Sequence, residues 1–132
     1  MKADNNKKEN NYNDPLTEKI IGGCYEIYNK IGPGFSEKVY SKGLKNILDK
    51  TGIRYEAEKQ LDVVFEGTNI GKFRVDLLVE SKVIVELKSI DGIMPKSFEK
   101  QLISYLKASD IKVGLLINFG YKKCQVRRLI NK

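Results

Sequence analysis

Three side chains in the stretch RVDLLVESKVIVELKS, from Arg74 to Ser89, have the types and the spacing to do chemistry together: Asp76, Glu86 and Lys88. Nine residues separate the two acids, and one separates Glu86 from Lys88. Strand side chains alternate between faces, so in a strand Val83–Lys88 the Glu86 and Lys88 side chains share a face, while Val83, Val85 and Leu87 take the other. In the preceding run, Asp76 is expected to share a face with Arg74 and Leu78, with Phe73, Val75, Leu77 and Val79 opposite. A hairpin closed around Glu80-Ser81-Lys82, with Val79 facing Val83, sets Asp76 directly across from Glu86. A slip of one residue would turn one strand's apolar side chains over, so the hydrophobic pattern selects this parity. Two carboxylates and an ammonium on one patch suit a hard divalent cation and a phosphate, the chemistry of metal-dependent phosphodiester cleavage.

A solvated surface pair is the competing account of a Glu and a Lys two apart on a strand. Against it, Glu86 sits inside the apolar run Val83-Ile84-Val85-Glu86-Leu87, where an isolated charge is costly unless paired or bound to metal.

The elements that must position these groups are legible from periodicity and turn chemistry. Residues 1–14 (MKADNNKKENNYND) are polar and are expected to be a disordered tail. Asp14-Pro15 is a helix start, with Asp as N-cap. Leu16, Ile20, Cys24 and Ile27 then recur at helical spacing to about Lys30. Gly32-Pro33-Gly34 breaks the helix. A second helix is predicted from about Ser36 to Lys50, with Val39, Leu44, Ile47 and Leu48 apolar. The pattern then becomes strand-like over Ile53–Phe65 and Ile70–Val79, around a turn at Glu66-Gly67-Thr68-Asn69. After the third strand and a loop, a third helix is expected over roughly Lys96–Ala108, with Phe98, Leu102, Tyr105 and Leu106 apolar. Ile111–Asn118 reads as a strand covered on both faces, which puts the third strand at the centre of the sheet rather than an edge. Gln125–Ile130 adds a short edge strand. The order ααβββαβ describes an α/β fold with a mixed sheet: an antiparallel meander, then a helical crossover to a strand parallel to the third. Residues 15–132 are read as a single domain.

Composition narrows the chemistry further. The chain of 132 residues is 41% hydrophobic and 31% charged, as a soluble globular domain is. No apolar run approaches the ~20 residues of a membrane helix, and the polar N-terminus does not read as a signal peptide. Cys24 and Cys124 stand in no metal-ligand spacing and read as free thiols in a reducing cytoplasm. The sequence has no histidine, which excludes Ser-His-Asp and Cys-His nucleophiles, histidine zinc sites and histidine-based nucleases. The net charge of +7 is concentrated at the end: residues 120–132 hold Lys122, Lys123, Arg127, Arg128 and Lys132 and no acid. Such a segment suits phosphate-backbone contacts, with a solvated tail as the alternative. The segment from Gly67 to Phe73 is not a phosphate loop, because three residues rather than four separate its glycines and no Ser or Thr follows Lys72.

The D-x9-E-x-K pattern on a strand–turn–strand, preceded by a helix carrying an acid and followed by another helix, resembles the PD-(D/E)xK nuclease superfamily. GFSEKVY, from Gly34 to Tyr40, resembles the motif of its GxxExxY family. YEAEKQLDVVFEG, VDLLVESKVIVELKS, the helix from Gln101 to Leu106, and GLLINFG at 114–120 fit the same family in order. Val75 stands where the superfamily's name has proline. The resemblance implies a restriction-endonuclease-like core and a Mg²⁺- or Mn²⁺-dependent endo- or exonuclease acting on DNA. Asp76 and Glu86, with the Leu87 carbonyl, would hold the metal, and Glu37 would reach it directly or through water. Lys88 would orient or help deprotonate the attacking water and stabilise the pentavalent phosphate. Gln101 and Tyr105 resemble a QxxxY element, in which the glutamine orients Lys88 or a phosphate and the tyrosine packs beside it. Tyr40 would fix its helix against the sheet. Some members of the superfamily have lost cleavage, so a silent module binding nucleic acid or a protein partner is the alternative. A junction-type endonuclease working as a homodimer is a third reading.

Overall fold

A capping box starts the first helix: the Asp14 carboxylate accepts the Thr17 N–H at 2.8 Å, and the Thr17 hydroxyl faces the Asp14 N–H at 3.4 Å. With Pro15 at the first helical position, this fixes helix α1, Pro15–Ile31, and such a cap contributes about 1 kcal/mol. The computed structural model describes residues 14–131, so the tail expected over residues 1–14 lies outside the described residues except for Asp14. Helix α2 (Glu37–Lys50) follows, then strands β1 (Tyr55–Phe65), β2 (Thr68–Val79) and β3 (Val83–Lys88), helix α3 (Lys96–Ser109), and strands β4 (Val113–Asn118) and β5 (Gln125–Ile130).

The five strands form one sheet in the order β1-β2-β3-β4-β5. β3 is central and parallel to β4 through the α3 crossover, and the remaining pairs are antiparallel. Val79 faces Val83, as the hydrophobic parity required. Three boundaries differ from the sequence expectation, each for a hydrogen-bonding reason. Ile53, just past α2, donates to the Leu48 carbonyl at 3.0 Å and so closes that helix rather than opening β1. Ile111 likewise donates to Leu106 at 3.2 Å and closes α3. The β1–β2 turn is only Glu66-Gly67, both at positive φ (49° and 78°), and Thr68 and Asn69 already pair with Phe65 and Val64.

The sheet is covered on both faces. Against one face, α1 and α2 bury Ile20, Cys24, Ile27, Tyr40, Leu44 and Leu48 over Leu77, Val79, Val83, Val85, Leu87, Leu115 and Ile117. Against the other, α3 buries Leu102 and Leu106 over Val75, Leu78, Ile84 and Leu116. In α2 the inward stripe begins at Tyr40, and Val39, expected on it, is exposed. α1 and α2 approach closely because both contacts are glycine: a Cβ at Gly23 would lie 3.2 Å from Ile47, and one at Gly43 3.2 Å from Ile27.

Strand β2 departs from simple alternation. Phe73, Val75 and Leu78 pack with α3, whereas Leu77 and Val79 pack with α1 and α2. Val75 and Leu77 were expected on one face, and they are on opposite ones. The reversal falls at Asp76, where the ladder is interrupted on both sides: β2–β3 pairing ends at Leu77 and Val85, and β1–β2 pairing skips from Leu77 to Val75. The β1 residue passed over there, Glu58, sits in the left-handed region at φ 51°.

Candidate active site

At this fork each carboxylate takes over a hydrogen bond that a regular ladder would make with backbone. The Asp76 N–H donates to Glu86 Oε2 at 2.7 Å, and the Leu87 N–H donates to Asp76 Oδ2 at 2.7 Å. The two acids are therefore cross-linked through each other's strand. One oxygen of each, Oδ1 and Oε1, is left for another partner.

Their electrostatics are unbalanced. Glu86 is only 8% exposed. Burial and then the Asp76 charge push its carboxyl up to about 7, with a smaller contribution from Glu37, against the Asp76 N–H and the Lys88 ammonium, which favour the anion. Asp76 and Glu86 thus hold more negative charge than their surroundings neutralise. Lys88, half-buried, carries its ammonium over the Phe98 ring at 4.6 Å from the centroid. This is cation–π geometry, and it fixes the long side chain from the α3 side.

Glu37 lies in the first turn of α2 and is exposed. With Asp76 and Leu87 it lines a small recess of about 90 Å³, completed by Lys38, Ser41 and Glu58. The structure thus brings Asp76, Glu86, Lys88, Leu87 and Glu37 to one neighbourhood. Tyr105 joins them: its ring stacks on Phe73 at 4.3 Å, and burial, then Glu86 and Asp76, raise its phenol. Gln101, one turn earlier on α3, is exposed. Tyr40 is fully buried, stacks on Phe119 at 4.2 Å, and donates its hydroxyl proton to the Gly32 carbonyl at 2.6 Å.

Of the basic residues of the C-terminal segment, Lys122, Lys123, Arg127 and Arg128 are not gathered into one patch, and Lys132 lies outside the described residues. Arg127 and Arg128 are successive residues of β5, paired with Leu116 and Leu115, and so project to opposite faces. Arg127 is paired with Glu99 of α3 at 3.4 Å. Lys122 and Lys123 are exposed in the preceding turn. Both cysteines are free and buried; burial, and then Cys124, push the Cys24 thiol well up, and burial alone lifts Cys124 to about 11.

Several residues that shape the site carry no motif. Asn118, fully buried at the end of β4, accepts the N–H groups of Ile90 and Gly120 and donates to the Ile90 and Gly92 carbonyls. It clamps the loop that leaves Lys88. Gly120 packs against the Ile90 backbone so tightly that no Cβ would fit. Glu58 was not findable from the turn alone: the Phe65–Thr68 pairing would set it opposite Val75, and a bulge at Val63–Val64 moves it to the level of Asp76. Phe98 and Asn118 had no signal either, since each acts across elements far apart in sequence.

Among the described residues no three acidic or thiol groups are gathered closely enough to enclose a metal ion. The donor set is nonetheless all oxygen, with free carboxylate oxygens and surplus negative charge, and it suits a hard divalent cation.

The family model described as the PD-(D/E)XK nuclease superfamily matches residues 14–129. Comparison with curated proteins finds no match. Among solved structures, the crystal structure of SSO0001 is similar in fold, with a TM-score of 0.52 at 17% identity over 71% of this chain and 49% of that one. The chain therefore spans about half the length of that protein.

Proposed function

Because the chain belongs to the PD-(D/E)XK nuclease superfamily, we propose that it hydrolyses DNA phosphodiester bonds with a divalent metal, Mg²⁺ or Mn²⁺. The observation that carries this reading is the fork itself, where Asp76 and Glu86 each accept an N–H from the other's strand, with Lys88 two residues on. Asp76, Glu86, the Leu87 carbonyl and Glu37 would hold the ion. When bound, it would supply positive charge at the phosphate and lower the pKa of the attacking water.

The chain's own groups do the rest. Lys88 presents a full charge to a non-bridging phosphate oxygen, and the Phe98 face holds that ammonium in place. Tyr105 stacks on Phe73, and burial, then the Glu86 and Asp76 charges, raise its phenol. Assignment to the GxxExxY branch is supported by what each motif position does. Gly34 takes φ 112°, Glu37 opens onto the Asp76 recess, and Tyr40 ties its own helix start to the Gly32 carbonyl. The two buried thiols suit a reducing compartment such as the cytoplasm.

Incubation of the pure protein with labelled single-stranded and duplex DNA, with Mg²⁺, with Mn²⁺ and with EDTA, tests this. Cleavage is expected only with metal, and is expected to be lost in Asp76→Asn, Glu86→Gln and Lys88→Met while the fold is kept. Undiminished cleavage in those variants, or none by wild type with either metal, would count against it. A silent nuclease-fold module is favoured by one observation, that both carboxylates are already engaged by backbone N–H groups. Calorimetry separates the two, since a silent site takes up no heat at millimolar Mg²⁺ or Mn²⁺ while salt-sensitive DNA binding persists.

A further inference from the structure

A second recess, of about 370 Å³, is lined by Pro33, Gly34, Phe35, Ser89, Asp91 and Gly120. It adjoins the fork in sequence from both sides: Ser89 follows Lys88, and Phe35 lies two residues before Glu37. Phe35 is 48% exposed as a residue, yet its backbone is tied at both ends. The Phe35 N–H donates to the Tyr40 hydroxyl at 3.2 Å, and the Ser89 hydroxyl donates to the Phe35 carbonyl at 2.6 Å. The ring itself stands edge-on to Tyr40, with centroids 6.2 Å apart and planes at 73°. An aromatic residue open to solvent is thus anchored through its backbone in the segments that flank the fork, and a stacking partner would meet it with less ordering than a free loop requires.

The charge of the recess decides between parts of a nucleic acid. Its lining holds one ionisable group, the exposed Asp91, and no Lys or Arg. An acid in a lining without a cation repels a phosphate, whereas it accepts hydrogen bonds from the N–H edge of a base. A stacking ring with an acceptor at its side matches a nucleobase. In a duplex both faces of a base are covered and its Watson–Crick edge is occupied, so only an unpaired base can fill this recess.

We infer that the Phe35 recess takes an unpaired nucleobase next to the scissile phosphate, stacked on Phe35 with its donor edge towards Asp91, and that the substrate is single-stranded there. This rests on the nuclease reading for its substrate. The test uses the full chain as wild type, Phe35→Leu and Phe35→Trp; leucine keeps apolar bulk and removes the π-face. Single-stranded DNA oligonucleotides carry 2-aminopurine at successive positions, with binding followed by fluorescence in Ca²⁺ and cleavage followed in Mg²⁺ and Mn²⁺. Wild type is expected to quench strongly at one position and to prefer the single strand to the matching duplex. Phe35→Leu is expected to lose that quenching and to raise KM roughly 10- to 100-fold at similar kcat, and Phe35→Trp to restore both. Cleavage by wild type with KM and quenching indifferent to Phe35→Leu, or a preference for duplex, overturns the inference and leaves the nuclease reading standing. Phe35-dependent quenching without cleavage supports the recess and sinks the nuclease reading; neither signal sinks both.

Discussion

The buried Glu86 carboxyl makes the metal-free protein a pH-sensitive fold. Its environment raises it from 4.5 to about 7, which corresponds to about 3 kcal/mol at a pH above both values. Below pH 4.5 the acid is protonated whether the chain is folded or not, and the fold keeps its full stability. As pH rises towards 7 the unfolded chain releases its proton first, so this contribution is lost progressively and is gone by about pH 8. Glu86→Gln removes the titration while the amide oxygen of the glutamine can take the place of Glu86 Oε2 as acceptor of the Asp76 N–H. Urea unfolding in EDTA, from pH 5 to 8.5, compares the two proteins. The stability of wild type is expected to fall relative to Glu86→Gln by about 3 kcal/mol across that range, leaving the variant the more stable at pH 8. Millimolar Mg²⁺ is expected to recover much of the loss in wild type and little in the variant. Parallel pH profiles would refute the account, because they would mean that the carboxylate is as well accommodated in the fold as in water.

Other perturbations test the supports of the site. Phe98→Leu keeps the apolar packing and removes the ring under Lys88; a loss of about 1 kcal/mol of cation–π attraction is expected to lower kcat several-fold with KM little changed, as steady-state kinetics would report. Asn118→Ala strands the Ile90 and Gly120 N–H groups; thermal unfolding is expected to report a loss of about 3 kcal/mol, larger than a surface substitution gives. Tyr40→Phe removes the bonds to the Gly32 carbonyl and the Phe35 N–H; a cost of about 1–2 kcal/mol is expected in urea unfolding, with faster amide exchange across residues 32–35.

The central pairing was legible because burial enforces parity: Val83, Val85 and Leu87 can face only one core, and Val79 must then meet Val83. The covered β4 likewise placed β3 in the middle. The face reversal at Asp76 was not legible. Phe73, Val75, Leu77, Leu78 and Val79 are all apolar, and a strand buried on both sides carries no alternation from which a bulge could be read. Tyr40 displaced Val39 from the helix stripe because a polar tip is tolerated where the hydroxyl finds a carbonyl, which periodicity does not register. The site followed the same division. Asp76, Glu86 and Lys88 could be read from two adjacent strands, whereas Phe98 and Asn118 meet the loop and side chain around them only through the crossover. The basic run at 122–128 illustrates the converse, as adjacency in sequence became opposition across β5 for Arg127 and Arg128.

The crossed hydrogen bonds at the fork also make the protein its own indicator. The N–H groups of Asp76 and Leu87 end on carboxylate oxygens rather than on carbonyls, so their proton chemical shifts and exchange rates depend on what those carboxylates are doing. A cation or a phosphate that draws either acid away changes the partner of a named amide on the neighbouring strand. Two backbone resonances can therefore follow occupancy of the site in solution, without a label and without turnover.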